Sequence, residues 1–270
     1  EIVPDGYVKA TDIEFTVSDK KENEHIELID KVVEISKEDV SGKEIEGAKL
    51  QVIDEDGNLI DEWTSTKEPH IVKGLEENKT YKLHEEVAIG NYAKASDIEF
   101  TVSEDKETQK VVMIDKLVEV TKTDLTTGEE IAGAELEVID EEGNVIDKWI
   151  STKEPHQVKG LEEGQTYILK EITAPYGYEI TEEIKFVVTT DKETQKVEMK
   201  DMPILKNVKI VKIDSQTKEI IRDKFTFAIY EDPECTKLIK DVNSNKDEGT
   251  AVFEELRYGI YLSLILISEP

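Results

Sequence analysis

Ala134-Glu135-Leu136-Glu137-Val138-Ile139-Asp140, then Glu141-Glu142-Gly143-Asn144, then Val145-Ile146-Asp147-Lys148-Trp149 reads as two strands joined by a turn. Apolar and polar side chains alternate on either side of the turn, whereas a helix would repeat its apolar face every 3.6 residues or about that. Gly143 and Asn144 accept the positive φ that a tight hairpin requires. Working outward, Val118–Lys122, a short stretch near His156–Val158, Tyr167–Ile172, Ile184–Val188 and Lys196–Asp201 show the same alternation. About seven short strands in about 85 residues, with no convincing helix, predict an all-β fold of the Ig-like β-sandwich kind.

The same text occurs twice in the 270 residues. Ser65-Thr66-Lys67-Glu68-Pro69-His70 returns as Ser151-Thr152-Lys153-Glu154-Pro155-His156, and Asp105–Val111 returns unchanged as Asp191–Val197. Trp63 matches Trp149, Tyr81 matches Tyr167, Phe100 matches Phe186 and Asp115 matches Asp201. The sequence therefore divides into complete units at 32–116 and 117–203. Pro4-Asp5-Gly6-Tyr7 with Ile13–Val17 resembles Pro175-Tyr176-Gly177-Tyr178 with Ile184–Val188, so residues 1–31 read as the closing part of a further unit. Asn207–Asp214 restarts the pattern, so 204–261 read as the opening part of another. In both complete units Tyr-x-Leu-x-Glu recurs (Tyr81–Glu85, Tyr167–Glu171); after Tyr261 it would place Glu at 265, where Ile265 stands. Residues 262–270 look like a translated sequencing adapter and are set aside as non-native. The joints at Lys31 and Lys116-Leu117 leave little chain to bend, which predicts an extended monomeric rod.

Composition narrows the function classes. Lys plus Arg number 34 against 63 Asp plus Glu, a formal net charge of −29. That excess repels phosphate backbones and anionic lipid, so neither nucleic-acid nor membrane-surface binding is expected. The longest apolar run, Leu262–Ile267 with Ser263 inside it, is far short of the roughly 20 residues a membrane helix needs, so no membrane insertion is expected. Cys235 is the single cysteine, which excludes internal disulfides and cysteine-based metal sites. The acidic turns Asp54–Gly57 and Asp140–Gly143 lack calcium-loop spacing and read as hairpins. Trp63, Trp149, His70 and His156 read as packing or rim residues. No metal, no cofactor and no enzymatic turnover are expected.

Strand parity singles out three ionisable residues per unit. Val118, Val120 and Lys122 share a face, as do Val33, Ile35 and Lys37, and again Val208, Ile210 and Lys212. In the closing strand Val197, Met199 and Asp201 share one; so do Val111, Met113 and Asp115, and Ile26, Leu28 and Asp30. Tyr81, Leu83 and Glu85 match Tyr167, Leu169 and Glu171 in the middle. Charges at the end of apolar faces are costly to bury unpaired. The plain alternative is that they mark strand ends turned to solvent. Against it stand fixed separations, 78 residues from Lys37 to Asp115 and 79 from Lys122 to Asp201.

These residues carry a resemblance. Val118-Glu119-Val120-Thr121-Lys122-Thr123-Asp124, Ile131-Ala132-Gly133-Ala134-Glu135-Leu136, Glu171-Ile172-Thr173-Ala174-Pro175-Tyr176-Gly177-Tyr178 and Met199-Lys200-Asp201-Met202-Pro203 together resemble the collagen-adhesin B-type, SpaA-like (prealbumin-like) stalk domains of Gram-positive surface adhesins and pilins. The resemblance implies a spontaneous isopeptide bond between a first-strand Lys and a last-strand Asp, assisted by a buried Glu. Carried over, it implies Lys37–Asp115 with Glu85 and Lys122–Asp201 with Glu171. Asp30 and Lys212 would be orphans whose partners lie outside the sequence. The first unit departs from the pattern, since Val87–Tyr92 lacks the proline and Glu86 stands beside Glu85. The chemistry suits the placement: burial disfavours charged amines and carboxyls alike, and packing makes the condensation effectively unimolecular.

Two functions follow as expectations. One is a structural spacer on a Gram-positive cell wall, extracellular, holding a tip that binds host matrix or glycans away from the surface. The other has the repeats themselves bind host matrix protein or glycan. Near-identical units and short joints favour the spacer; exposed aromatics particular to one unit would favour the binder. Localisation rests on the resemblance, because neither a signal peptide nor a wall-sorting motif stands in this sequence.

Overall fold

The computed structural model describes residues 3–17, 19, 25–27, 29–105 and 107–266. Leu28 and Lys106, which the sequence placed in a closing strand and a repeated motif, lie outside the described residues, as do 267–270 of the tail.

The first unit comprises β1 (Val32–Asp39), β2 (Lys49–Asp54), β3 (Leu59–Thr64), β4 (His70–Ile71), β5 (Thr80–Val87), β6 (Tyr92–Ala93), β7 (Ile98–Thr101) and the first part of β8 (Thr108–Asp124). One antiparallel sheet runs β3-β2-β5-β7; in the other, β1 lies between β4 and β8. The β2–β3 hairpin closes at Gly57, whose φ of +85° is a conformation open to glycine. Asp54 Oδ1 accepts from the Asn58 and Asp56 amides at 2.8 and 3.0 Å across the same turn.

The second unit repeats the plan with the rest of β8, then β9 (Glu135–Asp140), β10 (Val145–Ile150), β11 (His156–Gln157), β12 (Thr166–Thr173), β13 (Ile184–Val187) and β14 (Gln195–Asp201). Its sheets are β10-β9-β12-β13, and β8 flanked by β11 and β14. A third group follows as β15 (Leu205–Val211), β16 (Thr226–Tyr230), β17 (Leu238–Asn243), β18 (Thr250–Arg257) and β19 (Leu262–Leu266), paired β15-β18 and β17-β16-β19. No helix forms among the described residues, and the all-β tandem sandwich expected from the alternation is the observed architecture.

Each group has its own core. Val33, Ile35, Leu50, Val52, Leu83 and Met113 fill the first; Val118, Val120, Leu136, Val138, Leu169 and Met199 fill the second; Phe227, Ile229 and Phe253 anchor the third. Parity sets the packing, for β1, β5, β12 and β14 all alternate buried and less buried positions.

Two features differ from the sequence reading. The joint Lys116-Leu117 is not a linker, since β8 runs unbroken for 17 residues through it. No Gly or Pro interrupts Val111–Lys122, but the buried parity shifts by one at the joint: Val111, Met113 and Asp115 are buried in the first unit, and Lys116, Val118, Val120 and Lys122 on the side of the second. β8 pairs in parallel first with β1 and then with β14, and β6 crosses it at the joint, Tyr92 opposite Leu117 and Ala93 opposite Lys116. Residues 262–266, set aside earlier, pair along β16 as β19, with Ile265 opposite Phe227 and Ser263 opposite Ile229. That is the place of β12 beside β9, where Glu171 opposes Leu136 and Leu169 opposes Val138.

Candidate functional site

The inward face of β1 ends in Lys37, that of β5 in Glu85, and β8 contributes Asp115; all three are buried, at 1%, 0% and 0% exposure. In the parallel register Lys37 opposes Met113, so Asp115 is its diagonal neighbour on the same face. Lys37 Nζ donates to Asp115 Oδ1 and stands 3.1 Å from Glu85 Oε2. That glutamate oxygen also accepts from the Ala95 backbone N–H at 2.8 Å. Glu86 points outward and pairs with Lys49 at 2.5 Å, so of the two adjacent glutamates only Glu85 faces the lysine.

The second unit reproduces the arrangement. Lys122 opposes Met199, Lys122 Nζ donates to Asp201 Oδ1, and Glu171 Oε1 lies 3.0 Å away. Glu171 Oε2 accepts from the Thr181 N–H at 2.7 Å. These two backbone donors were not identified from the sequence, because a main-chain N–H leaves no residue signature.

Burial is the largest influence on both aspartates. It pushes the Asp115 carboxyl up to about 7, with Glu85 adding and Lys37 opposing. Asp201 is pushed up to about 6 by the same cause, opposed first by the hydrogen bond from Lys122. The raised carboxyl in each cluster is therefore the one whose Cγ an amine would attack. A neutral acid is a better acyl acceptor than a carboxylate, and the adjacent Glu stands within reach of both partners for proton transfer. Asp115 Oδ2 and Asp201 Oδ2 are buried with no hydrogen-bond partner among the described residues.

The remaining candidates are elsewhere. Asp30 is exposed. Lys212 lies over the Phe225 ring, 3.6 Å from its centroid, and the third group has Ile265 where Glu171 stands in the second. Trp63 stacks on His70 at 4.2 Å and Trp149 on His156 at 4.1 Å, with Asp61 and Asp147 each 2.9 Å from the histidine Nε2. Among the described residues no group of three or more His, Cys, Asp or Glu side chains is placed to hold a metal ion.

Two lysines outside the expected set are notable. Lys116 is buried, and its Nζ donates to Thr189 Oγ1 at 2.6 Å and to the carbonyl and carboxylate of Asp191, each at 3.2 Å. Lys31, its counterpart one unit earlier, donates to Glu77 and to the Glu104 carbonyl.

The family model described as "SpaA: Prealbumin-like fold domain" matches residues 31–117 and again 116–203. Among solved structures, the TIE protein of Bacillus anthracis is similar at 23% identity and TM-score 0.43, over 88% of this chain and 45% of that one. The shaft pilin SpaA of Lactobacillus rhamnosus GG is similar at 12% identity and TM-score 0.30, over 64% of this chain and 98% of that one. A streptococcal ancillary pilin is similar at 13% identity and TM-score 0.30, over 88% and 96% respectively. The chain thus spans under half the length of the Bacillus anthracis structure that it matches. No curated protein matches the chain.

Proposed function

The chain belongs to the SpaA prealbumin-like fold domain family, a structural pilin fold, and from that premise we propose that its two complete units are self-crosslinking spacers in a cell-surface rod of the pilus or adhesin-stalk kind. The observation that carries the reading is the pair of buried Lys–Asp–Glu clusters, with lysine and aspartate already in contact in each.

The reaction is a condensation. The lysine amine in its neutral form attacks Cγ of the neutral Asp with Nζ, and the Glu carboxylate takes one proton from that nitrogen as the bond forms. The glutamic acid returns the proton to the departing hydroxyl, an Nζ–Cγ bond replaces a Cγ–O bond, and one water leaves. In each dry site one aspartate oxygen and one glutamate oxygen stand without a hydrogen-bond partner among the described residues, and condensation would remove an oxygen from the aspartate. Each unit reacts once, so the glutamate assists a single event without turnover. A cell-surface location accords with a rod-building role; no helix among the described residues is long and apolar enough to cross a membrane.

Intact mass of the full chain under denaturing conditions tests the reading. Two amides predict a deficit of about 36 Da, one water for each amide that forms. Glu171→Ala is expected to halve it. A full, undiminished mass overturns the proposal.

A further inference from the structure

Ala95, whose N–H holds Glu85, lies in the short strap between β6 and β7, and the second unit holds that strap on both sides of it. Lys94 N–H donates to the Leu161 carbonyl at 2.8 Å, and Glu163 N–H donates back to the Lys94 carbonyl at 2.9 Å. On the other side, Ser96 N–H donates to Glu163 Oε2 at 3.0 Å. The residue after Asp115, Lys116, buries its amine against Thr189 and Asp191 of the second unit. Glu85 is therefore held through a strap that the second unit clamps, and Asp115, placed by the β1–β8 ladder, adjoins a lysine anchored in that unit.

The contact recurs one unit earlier. Lys9 N–H donates to the Leu75 carbonyl at 2.8 Å, Glu77 N–H donates to the Lys9 carbonyl at 3.0 Å, and Thr11 N–H donates to Glu77 Oε2 at 2.9 Å. The next joint is built otherwise. The third group aligns Leu256 with Leu161, which puts Arg257 and Tyr258 at the places of Glu162 and Glu163. There Arg257 binds Asp124, and Tyr258 meets Tyr176 edge-on at 5.5 Å.

We infer that docking of the second unit sets the crosslinking competence of the first, with Glu163 as a positioning residue that acts across the joint through Ser96 and Ala95 on Glu85. The inference rests on the proposed self-crosslinking. Its consequence is an order of events: Lys37 and Asp115 condense efficiently only once the following unit has folded against the strap, while the second cluster has no such glutamate to wait for.

The test uses the full chain made in a cell-free synthesis pulse, quenched in acid at intervals and digested. The crosslinked Lys37–Asp115 and Lys122–Asp201 peptides are then quantified separately. Glu163→Ala is expected to slow the first-unit bond about tenfold, the rate equivalent of losing one hydrogen bond to a carboxylate, and to leave the second-unit bond at its wild-type rate. Glu163→Gln keeps an acceptor oxygen for Ser96 N–H and is expected to restore the first-unit rate. An unchanged first-unit rate in Glu163→Ala overturns the inference, as does equal slowing of both bonds or failure of Glu163→Gln to rescue. If neither bond forms in the wild-type chain, the proposed function fails and takes this inference with it; the second-unit bond in the same sample separates the two failures.

Discussion

Lys122→Met in the full chain isolates the contribution of one crosslink. Methionine is apolar and of similar length, so it can occupy the channel that Lys122 fills at 2% exposure without opening a large cavity. What disappears is the amine, and with it the tie that would close a loop of 79 residues. Chain entropy puts a closed loop of about that size at ~4.5 kcal/mol of stability. The carboxyls left behind add little in mild acid, since burial already favours the neutral form of Asp201. The two tryptophans fall one to a unit, so Trp63→Phe leaves Trp149 as the reporter of the second unit alone. With urea slopes of about 1–2 kcal/mol per molar for a domain of this size, the second-unit midpoint should fall by about 2–4 M. The intact mass should regain one water, and a Trp63 reporter in a Trp149→Phe background should show the first-unit transition little moved. A midpoint change below about 1 M accompanied by the regained water would refute the loop-closure reasoning.

Two further outcomes are expected. A raised folded-state pKa means that the neutral acid persists to higher pH, so crosslinking should slow as pH rises through about 6 in the second unit and about 7 in the first. By the same sign, any uncrosslinked chain loses stability as pH rises through those values; per-unit crosslink rates that are flat from about pH 5 to 8 would contradict the assignment. Gly177→Ala should open the joint to the third group, because φ at Gly177 is +89° and a Cβ there would lie 2.9 Å from Tyr258 Cβ. Hydrogen exchange should rise at Tyr258 and its neighbours while the unfolding of the first two units stays unchanged.

The strands and their inward faces were legible because period two is a direct consequence of the pleat. Val118, Val120 and Lys122 could be assigned to one face without any structure, and so could Tyr167, Leu169 and Glu171. The six residues of the two clusters followed from that parity together with the repeat. The joint was not legible in the same way. Lys116-Leu117 looked like a connector because the repeat boundary falls there and the apolar parity changes across it, from Met113 to Val118; the lack of any Gly or Pro was the available sign that β8 would continue. Glu163 could be seen only as one of two adjacent glutamates in a repeated Leu-Glu-Glu, a pattern that equally describes a solvated turn; its partners are backbone groups 67 residues away. Residues 262–266 were discounted on the likeness of their text to something non-biological, whereas strand pairing responds to apolar, β-favouring side chains whatever their origin.

The continuity of β8 has a mechanical consequence. With both amides formed, tension entering along β1 crosses at Lys37 to Asp115, follows β8 to Lys122 and leaves at Asp201. Eight residues of extended strand, about 25 Å, would carry the load between the two bridges. Residues 38–114 and 123–200 would hang outside the circuit as two closed loops, contributing no length when the rod is stretched. Stretched between Lys37 and Asp201, the two units would behave as an almost inextensible tether, and every additional unit that shares its strands and carries its own bridge would lengthen that tether without making it more compliant.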